Sequence, residues 1–362
     1  MEKVSALILQ KLGWNPSFAK EFKKLDMTDC VPARVTSQSK YSFQIHGEYG
    51  YINAKSSGKI SHDINKGTNC PVVGDWVAVK LAMASGTAVI EAVLPRKSSF
   101  SRKVPGNKTK EQVEAANIDL AFIVNGLDGG RNLNLRRIER YLTLSLESGV
   151  SPVIVLNKAD LCTDVQERIN EVKHIAFGIP VHTISATEGQ GLEALKEHFV
   201  SGATAVFLGP SGVGKSSIIN ALLGEKRLRV GEIRNKDLRG RHTTSRRELF
   251  LLPGNGAVID TPGIREIQLW ADESVISSVF PDIEEFAGKC KFGDCSHRSE
   301  PKCAVKKAID EGMLDSNRFE SYVKLKQELH YLDVHKKDGV RIEEKLKWKK
   351  ISQLSKKEWG QH

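Results

Sequence analysis

One nine-residue segment, GPSGVGKSS at Gly209–Ser217, constrains the fold more than any other part of this 362-residue chain. An apolar run, ATAVFL, comes directly before it, and a helical pattern, SSIINALLG, follows its lysine. A strand, a glycine-rich turn and a helix in this order form a phosphate-binding loop, in which backbone N–H groups and the helix N-terminus face the phosphates. The segment therefore predicts a P-loop α/β domain and a nucleotide ligand.

Each residue type in this loop has an expected task. Lys215 reaches the β- and γ-phosphates of the nucleotide, and the hydroxyl of Ser216 is available to Mg²⁺. Asp260 ends the apolar run AVID and supplies a carboxylate for Mg²⁺, while Gly263 can turn its N–H toward the γ-phosphate. Lys215 and Gly263 are thus candidate catalytic residues. The predicted phosphate-binding residues are Gly209, Pro210, Ser211, Gly212, Val213, Gly214, Lys215, Ser216 and Ser217.

The segment RGRHTTSRRELF lies between the P-loop and Asp260 and is a candidate switch. A threonine in this place can complete the Mg²⁺ shell and sense the γ-phosphate. We prefer Thr244 to Thr243 for this role. Much of the segment also fits a basic surface loop.

A second polar loop, NKAD at Asn157–Asp160, ends the apolar run Val153–Leu156 upstream of the P-loop. Asp160 can accept hydrogen bonds from the N1–H and N2–H groups of guanine, which adenine lacks, so the loop predicts a guanine nucleotide. Asn157 can tie adjoining loops together, and the stem of Lys158 can cover the ring. The tripeptide SAT ends a later strand and predicts a second base loop that reads guanine O6 through a backbone N–H. The predicted base-binding residues are Asn157, Lys158, Ala159, Asp160, Ser185 and Ala186.

The order of these motifs is unusual. Along the chain they run NKAD, SAT, GPSGVGKS, TT and DTPG, whereas the phosphate motifs come first in an ordinary GTP-binding domain. A compact domain whose termini lie close together can be opened at another point without change to its core. The complete but rotated set therefore predicts a circular permutation.

Upstream of this domain the sequence predicts two smaller regions. Residues 1–27 form an N-terminal helical extension, because the apolar residues Val4, Leu7, Ile8 and Leu12 fall on one helix face. Residues 28–100 hold about five short strand patterns separated by turn signals, which suit a small antiparallel β-barrel of OB-like type. A small β-sandwich fits this spacing equally well.

The permuted P-loop α/β GTPase domain is predicted over residues 101–270. The polar, basic segment RKSSFSRKVPGNKTKEQ, which joins it to the barrel, is interpreted as a linker or a functional loop. Residues 271–362 are helical and charged, and we predict a C-terminal helical zinc domain with a basic helical tail there.

A cluster of cysteine and histidine residues lies in this last region, with the spacing C-x4-C-x-H-x5-C. Three thiolates and one imidazole form a complete tetrahedral set for structural Zn²⁺ and leave no open position for catalysis. Three reduced cysteines near a histidine are the alternative interpretation. The predicted zinc ligands are Cys290, Cys295, His297 and Cys303.

The chain carries a formal net charge of +10. Such a basic protein often has an anionic partner, and nucleic acid is the first candidate. Residues 336–357 alone hold nine Lys and Arg against three acidic residues. No stretch approaches the roughly 20 apolar residues that span a membrane, and we identify no signal peptide, so no membrane partner and a cytoplasmic setting are expected.

Together these motifs resemble the circularly permuted GTPases, and among them the ribosome small-subunit-dependent GTPases of bacteria. The resemblance rests on VGDWVAV, LPRKSSFSRK, AANIDLAFIV, NKADL, GPSGVGKSSIINAL, GRHTT, DTPGIRE and the Cys/His cluster. It implies an OB-fold, a permuted G domain and a zinc domain. It also implies a GTP hydrolase that binds the small ribosomal subunit and its rRNA, is stimulated by that subunit, and acts late in its maturation. We expect a monomer.

The usual position of the residue that orients the attacking water holds no polar side chain in this sequence. Ile264 follows Gly263, where a polar residue would orient water, which predicts slow hydrolysis and dependence on a partner. His242 is a candidate to orient the water instead, although a surface or RNA-contacting role fits it nearly as well. The alternative function is an RNA-binding module that holds a guanine nucleotide as a structural ligand, and Asp160 opposes an ATPase.

Overall fold

The computed structural model divides the chain into two compact units, Met1–Ser101 with Val113–Ile267, and Arg102–Gln112 with Gln268–His362. It describes residues 2–39, 42–66, 70–82, 86–103, 111–129, 132–228, 247–260 and 273–330.

Two short helices begin the first unit, α1 (Glu2–Lys11) and α2 (Pro16–Lys23). The side chain of Asn15 caps α2 by accepting hydrogen bonds from the backbone of Ser17 and Phe18, and a proline occupies the first turn. The ring of Trp14 packs edge-on against buried Trp76, with centroids 4.7 Å apart. The two helices are thereby fixed through an aromatic cluster.

A closed five-stranded barrel follows. Its elements are β1 (Val31–Gln38), β2 (Phe43–Gly47), β3 (Gly50–Ser56), α3 (Gly58–Lys66), β4 (Trp76–Ala82) and β5 (Thr87–Val93). The strands pair in the order β1-β2-β3-β5-β4, and β4 returns to β1. This closure confirms the barrel and rejects the sandwich. The pairing of β3 with β5 is parallel, so the barrel is not antiparallel throughout.

The alternation of the barrel strands directs small and branched side chains inward. Residues such as Val35, Ile45 and Ile90 are fully or almost fully buried in one apolar cluster. The five strand patterns of the sequence therefore correspond to real strands.

The segment interpreted as a linker contains strand β6 (Ser99–Lys103), which pairs with β7 (Glu111–Ala116) in a separate two-stranded sheet. The sequence missed β6 because serine, arginine and lysine do not give the apolar alternation by which a strand is recognised. Within β6, Phe100 is fully buried.

A doubly wound α/β sheet completes the first unit. Its elements are β8 (Leu120–Gly126), α4 (Leu135–Glu147), β9 (Ser151–Asn157), α5 (Val165–Ala176), β10 (Val181–Thr183), α6 (Leu192–Lys196), β11 (Thr204–Leu208), α7 (Lys215–Leu223), β12 (Arg247–Leu251) and β13 (Ala257–Asp260). The strands lie in the order β10-β9-β8-β11-β13-β12. All neighbours pair in parallel except β12 with β13. The continuous apolar runs of β8, β9 and β11 are buried, as a parallel sheet covered on both faces requires.

The barrel and this sheet share hydrogen bonds. Strand β12 lies antiparallel to β1, with Ser37 opposite Glu248 and Gln38 opposite Arg247. Arg247 also forms an ion pair with buried Glu114 of β7. The strand that follows the candidate switch is thus held from two sides.

Arg34 of β1 is a buried cation that joins several segments of the first unit. Its guanidinium donates to the carbonyl oxygens of Leu12, Gly74 at 3.1 Å and Asn117 at 2.8 Å. It also donates to Thr204 Oγ1 at 2.7 Å. Burial lowers the pKa of Arg34 to about 10, while Asp119 and Asp75 act in the opposite direction.

Residues 273–330 of the second unit, the part of residues 271–362 that the structure describes, are mostly helical, in agreement with the predicted fold class. This part contains α8 (Glu273–Val279), α9 (Pro281–Ala287), α10 (Ala304–Asp310) and a helical segment over residues 316–330. Arg318 forms a bidentate ion pair with Asp282, at 2.7 and 2.8 Å, and its guanidinium lies 4.7 Å from the Phe280 ring centroid. These contacts fix residues 316–330 on α9.

Across the described ranges, every helix is too short or too polar to traverse a lipid bilayer.

Candidate functional site

The candidate site is built at one edge of the parallel sheet. Strands β8, β9, β10, β11 and β13 run in the same direction, so the loops that follow them emerge together. The predicted P-loop follows β11, NKAD follows β9, SAT follows β10, and Asp260 ends β13. The motifs that are rotated along the chain are therefore neighbours in space.

The P-loop takes a conformation that its glycines permit. Gly209, Gly212 and Gly214 have φ angles of +146°, +83° and +96°, in the region that residues with a Cβ rarely adopt. A Cβ on Gly209 would also clash with the carbonyl of Val124. Helix α7 begins at Lys215, directly after Gly214, so its free N–H groups face the loop.

Lys215 lies folded over its own loop. Its ammonium group donates to the carbonyl oxygens of Gly209 at 2.8 Å and Pro210 at 2.5 Å. This position keeps the charge of the lysine at the mouth of the loop, where a phosphate group can accept from it. Ser216 and Ser217 follow in the first turn of α7 and are partly exposed.

Asn157 joins three motifs. Its side chain is buried, its Nδ2 donates to Val213 O of the P-loop at 2.8 Å, and its Oδ1 accepts from Ala186 N at 3.1 Å. A Cβ on Gly214 would clash with the same amide group, so glycine is also needed there for close approach. The predicted tie between adjoining loops is thus present.

The NKAD and SAT loops are shaped by further backbone contacts. Ala159 N donates to Ile184 O at 3.1 Å. Buried Ser185 accepts from Glu188 N at 3.3 Å and exchanges two backbone hydrogen bonds with Gln190. Asp160 stands exposed in the short 3-10 turn Ala159–Leu161, where its carboxylate is accessible to a ligand.

Asp260 ends β13, at the same edge of the sheet from which the P-loop emerges after β11. Burial raises the pKa of this carboxyl, the positive charge of Lys215 partly offsets the rise, and Glu248 adds to it. Glu248 lies directly opposite Asp260 in the β12–β13 pairing, so both side chains project from the same face of the sheet. A partly buried carboxylate with a raised pKa is a suitable ligand for a divalent cation.

Several predicted residues lie outside the described residues: His242, Thr243, Thr244, Gly263 and Ile264. Their assignments stay predictions of the sequence, as does the basic tail over residues 336–357.

The Cys/His cluster in the second unit converges on one point. The Sγ atoms of Cys290 and Cys303 are 3.9 Å apart, and His297 Nδ1 lies 3.6 and 3.4 Å from them. With Cys295, all four ligand atoms fall within 4.8 Å of one another. Bonds of about 2.3 Å to sulfur and 2.0 Å to nitrogen in a tetrahedron give separations of about 3.5–3.8 Å. The cluster can therefore hold a metal ion.

Two carboxylates of this sheet edge were missed from the sequence. Asp128 follows β8 and forms an ion pair with Lys158 at 2.5 Å, and Glu248 faces Asp260. Asp128 could have been found, because it follows an apolar strand at the same edge as NKAD. Glu248 could not, because the pairing of β12 is a tertiary feature.

Known proteins resemble this chain over most of its length. A family model described as RsgA GTPase matches residues 93–270. A protein of Opitutus terrae named small ribosomal subunit biogenesis GTPase RsgA is 44% identical over 356 residues, which are 96% of each chain. The chain belongs to the RsgA GTPase family. A protein of the same name from Syntrophotalea carbinolica is 40% identical over 362 residues, with 98% of each chain covered.

Solved structures agree with the permuted fold. The crystal structure of YjeQ from Thermotoga maritima has a TM-score of 0.61 and 30% identity, covering 83% of this chain and 98% of that one. YloQ, described as a circularly permuted GTPase, has a TM-score of 0.59 and 24% identity, covering 84% and 96%. A second family model, described as ABC transporter, matches residues 192–359, a range that includes the same P-loop. The family, the fold and a GTP-hydrolysing activity are thereby shown.

Proposed function

We propose that this GTPase acts in maturation of the small ribosomal subunit, with the rotated motifs as its nucleotide site. The observation that carries the site assignment is the double hydrogen bond of Asn157, to Val213 and to Ala186. It makes the P-loop, NKAD and SAT one connected structure. The relatives that cover nearly the whole chain carry small-subunit biogenesis in their names.

In this proposal the two ends of GTP are held by different loops. Asp160 accepts from N1–H and N2–H of guanine, the backbone N–H of Ala186 donates to O6, and the stem of Lys158 covers the ring. The N–H groups of Gly209–Ser217 and the ammonium of Lys215 surround the phosphates. The exposed Asp160 carboxylate would be left desolvated and unpaired by adenine, which disfavours ATP.

Hydrolysis transfers the γ-phosphoryl group to water. The oxygen of water forms a bond to the γ-phosphorus, the bond to the β,γ-bridging oxygen breaks, a proton of the water passes to solvent, and GDP and phosphate leave. Lys215 moves from its loop carbonyls to the phosphates and offsets charge that accumulates on the leaving oxygen. The protein contributes position and charge, and no covalent intermediate is required.

Ser216 and Asp260 fit a Mg²⁺ ion, because a half-buried carboxylate with a raised pKa is stabilised by a cation. When bound, Mg²⁺ would supply positive charge that offsets the negative charge of the phosphates. Thr244 is the sequence-based candidate to complete this set, in preference to Thr243.

The sequence has the apolar Ile264 after Gly263, where a polar residue would orient the attacking water, so we propose slow hydrolysis by the isolated protein. His242 is our candidate to orient the water once the ribosomal subunit is bound. A His242→Ala protein that keeps its full subunit-stimulated rate would remove His242 from this role.

The partner in this proposal is the small subunit and its rRNA, in the cytoplasm, and the protein acts as a monomer. The net charge of +10 supports an RNA partner, because cations that neutralise phosphates release counterions. The cluster of Cys290, Cys295, His297 and Cys303 takes structural Zn²⁺ in this proposal, since three thiolates and an imidazole are its preferred ligands.

The experiment that tests this function is phosphate release by the full chain, measured with GTP and with ATP, alone and with purified small subunits. We expect slow release from GTP only, and a large increase on addition of small subunits. GTP turnover that is indifferent to small subunits would contradict the proposed partner. Turnover of ATP at the rate of GTP would contradict the base site.

A further inference from the structure

The ion pair between Asp128 and Lys158 lies inside the base site and has no role in the sequence motifs. Lys158 Nζ lies 2.5 Å from Asp128 Oδ2, and the two side chains are 24% and 20% exposed. Strands β8 and β9 are parallel neighbours, with Gly126 opposite Asn157. Asp128, the second residue after β8, and Lys158, the first residue after β9, are therefore brought close together.

The carboxylate of Asp128 is itself held in position. Asn132 Nδ2 donates to Asp128 Oδ1 at 2.7 Å. Gly126 leaves room for this oxygen, because a Cβ on that glycine would approach it to 2.7 Å. One oxygen of the carboxylate is thus fixed by an amide, and the other is directed at the lysine.

The charge state of Asp128 suits this contact. Burial alone raises the pKa of Asp128, but the hydrogen bonds from Lys158 and Asn132 outweigh it and hold the pKa below the ordinary value. The Asp128 carboxyl is therefore ionised at neutral pH.

Two carboxylates are candidate partners for the ammonium group of Lys158, those of Asp128 and Asp160. Asp160 is two positions further along and is the group that reads guanine in our proposal. Within the described residues, the structure pairs the lysine with Asp128 and not with Asp160. Lys158 itself has a left-handed backbone, with φ +65°. An ammonium group on Asp160 would compete directly with the N1–H and N2–H donors of the base.

We propose that Asp128 is a positioning residue for guanine recognition, which retains the ammonium group of Lys158 and so leaves the Asp160 carboxylate free to accept from N1–H and N2–H. This inference rests on the proposed assignment of Asp160 as guanine reader. The Asp128 side chain acts through Lys158 and does not touch the reacting atoms. The expected signature is a loss of guanine affinity and of guanine discrimination, with the phosphate chemistry intact.

The experiment measures the affinities of the full chain for GDP and for inosine diphosphate, which lacks the 2-amino group. Asp128→Asn keeps the shape of the side chain and removes its charge. We expect about tenfold weaker GDP binding, as for loss of a charge-assisted hydrogen bond, and a smaller GDP-to-IDP affinity ratio. The ratio is taken within one preparation, so a partly unfolded sample does not alter it.

The matched control is Asp164→Asn. Asp164 is a nearby carboxylate in the loop before α5, and it pairs with Arg168 at 2.9 Å. The control loses the same charge in the same neighbourhood, and we expect both affinities to remain as in the unmodified protein. Equal effects of Asp128→Asn and Asp164→Asn on the two affinities would mean that only the loss of a nearby negative charge matters. That result would overturn the proposal.

A double-mutant cycle tests action through the lysine. Lys158→Met keeps most of the stem and removes the ammonium group, so Asp128→Asn should add no further loss in that background. A loss of the same size in both backgrounds would overturn the proposal, as would an unchanged GDP-to-IDP ratio in Asp128→Asn alone.

Asp160→Asn separates this inference from the site assignment. That substitution should collapse the GDP-to-IDP ratio whatever Asp128 does. If it leaves the ratio unchanged, the guanine reader itself is misassigned. If it collapses the ratio while Asp128→Asn does not, only the role of Asp128 is wrong.

The rate of hydrolysis provides a further distinction. At saturating GTP, with small subunits present, Asp128→Asn should keep kcat within about twofold and raise KM, since Lys215, Ser216 and Asp260 are untouched. A fall in kcat with unchanged KM would contradict a role in base recognition.

Discussion

Asn157 and Val213 are separated by 56 positions in the chain, yet the amide of Asn157 donates to the carbonyl of Val213 at 2.8 Å. The oxygen of the same side-chain amide accepts from the backbone N–H of Ala186, so one buried side chain links the base loops to the P-loop. In a chain whose motif order is rotated, such a link keeps the two halves of the site together.

Substitution of Asn157 by alanine should therefore damage binding and stability together. It leaves the buried carbonyl of Val213 and the partly buried N–H of Ala186 without their partners. The buried group costs about 1–3 kcal/mol and the partly buried one less. We expect GDP binding at least tenfold weaker and a lower free energy of unfolding in urea. Asn170→Ala is the control, because Asn170 is on the surface of α5 and, among the described residues, its side chain hydrogen-bonds only to Gln166. Wild-type GDP affinity in Asn157→Ala would contradict the account.

Asp260→Asn should lower the hydrolysis rate and raise the thermal stability of the protein at neutral pH. The folded protein raises the pKa of Asp260, so it favours the protonated carboxyl. The stability that the protonated carboxyl contributes is fully present below the ordinary pKa of about 4. It is lost as the pH rises through the raised pKa of the folded protein. Without nucleotide or Mg²⁺, the amide variant should have a higher Tm at pH 7 and about the same Tm at pH 4, with hydrolysis reduced at least about 100-fold. A lower Tm of the variant at pH 7 would show that the ionised Asp260 carboxylate does not destabilise the folded protein.

Arg34→Met should destabilise the first unit without direct effect on the chemistry. The substitution removes the donor from the carbonyls of Leu12, Gly74 and Asn117, which lie in different segments. We expect a loss of about 2–4 kcal/mol in the free energy of unfolding, reduced by the relief of burying a charge. Arg168→Met is the control, since that arginine lies at the surface and its ion pairs with Asp164 and Glu171 are screened by solvent. Equal stability of the two variants would refute the role of Arg34.

Cys303→Ser should abolish metal binding in the second unit. Cys303 is the buried member of the cluster and lies at the N-terminus of α10. We expect zinc content, measured by elemental analysis, to fall from stoichiometric to near zero, with loss of helical circular dichroism. Cys162→Ser should retain its zinc, because Cys162 lies outside the cluster. Full zinc content in Cys303→Ser would rule out the proposed ligand set.

The sequence predicted those parts of the fold that local pattern determines. The strand–loop–helix around Gly209–Ser217, the strand before NKAD and the five barrel strands each have a periodicity or a turn signal of their own. The permutation also followed from motif order alone. These features need no knowledge of distant neighbours.

The parts that the sequence did not predict depend on contacts between distant segments. The pairing of β12 with β1 joins residues about 210 positions apart, and no local pattern specifies it. Strand β6 escaped because it is short, basic and rich in serine. The place of Asp128 at the sheet edge could be inferred from the strand before it, but its ion pair with Lys158 depends on the pairing of β8 with β9.

The most direct test of the account is the nucleotide preference of Asp160→Asn. Xanthine carries a carbonyl where guanine has its 2-amino group, so an asparagine amide can donate to it while still accepting from N1–H. We predict that the variant binds xanthosine diphosphate more tightly than GDP, whereas the unmodified protein prefers GDP. A variant that still prefers GDP would contradict the claim that the rotated motifs form a guanine site around Asp160.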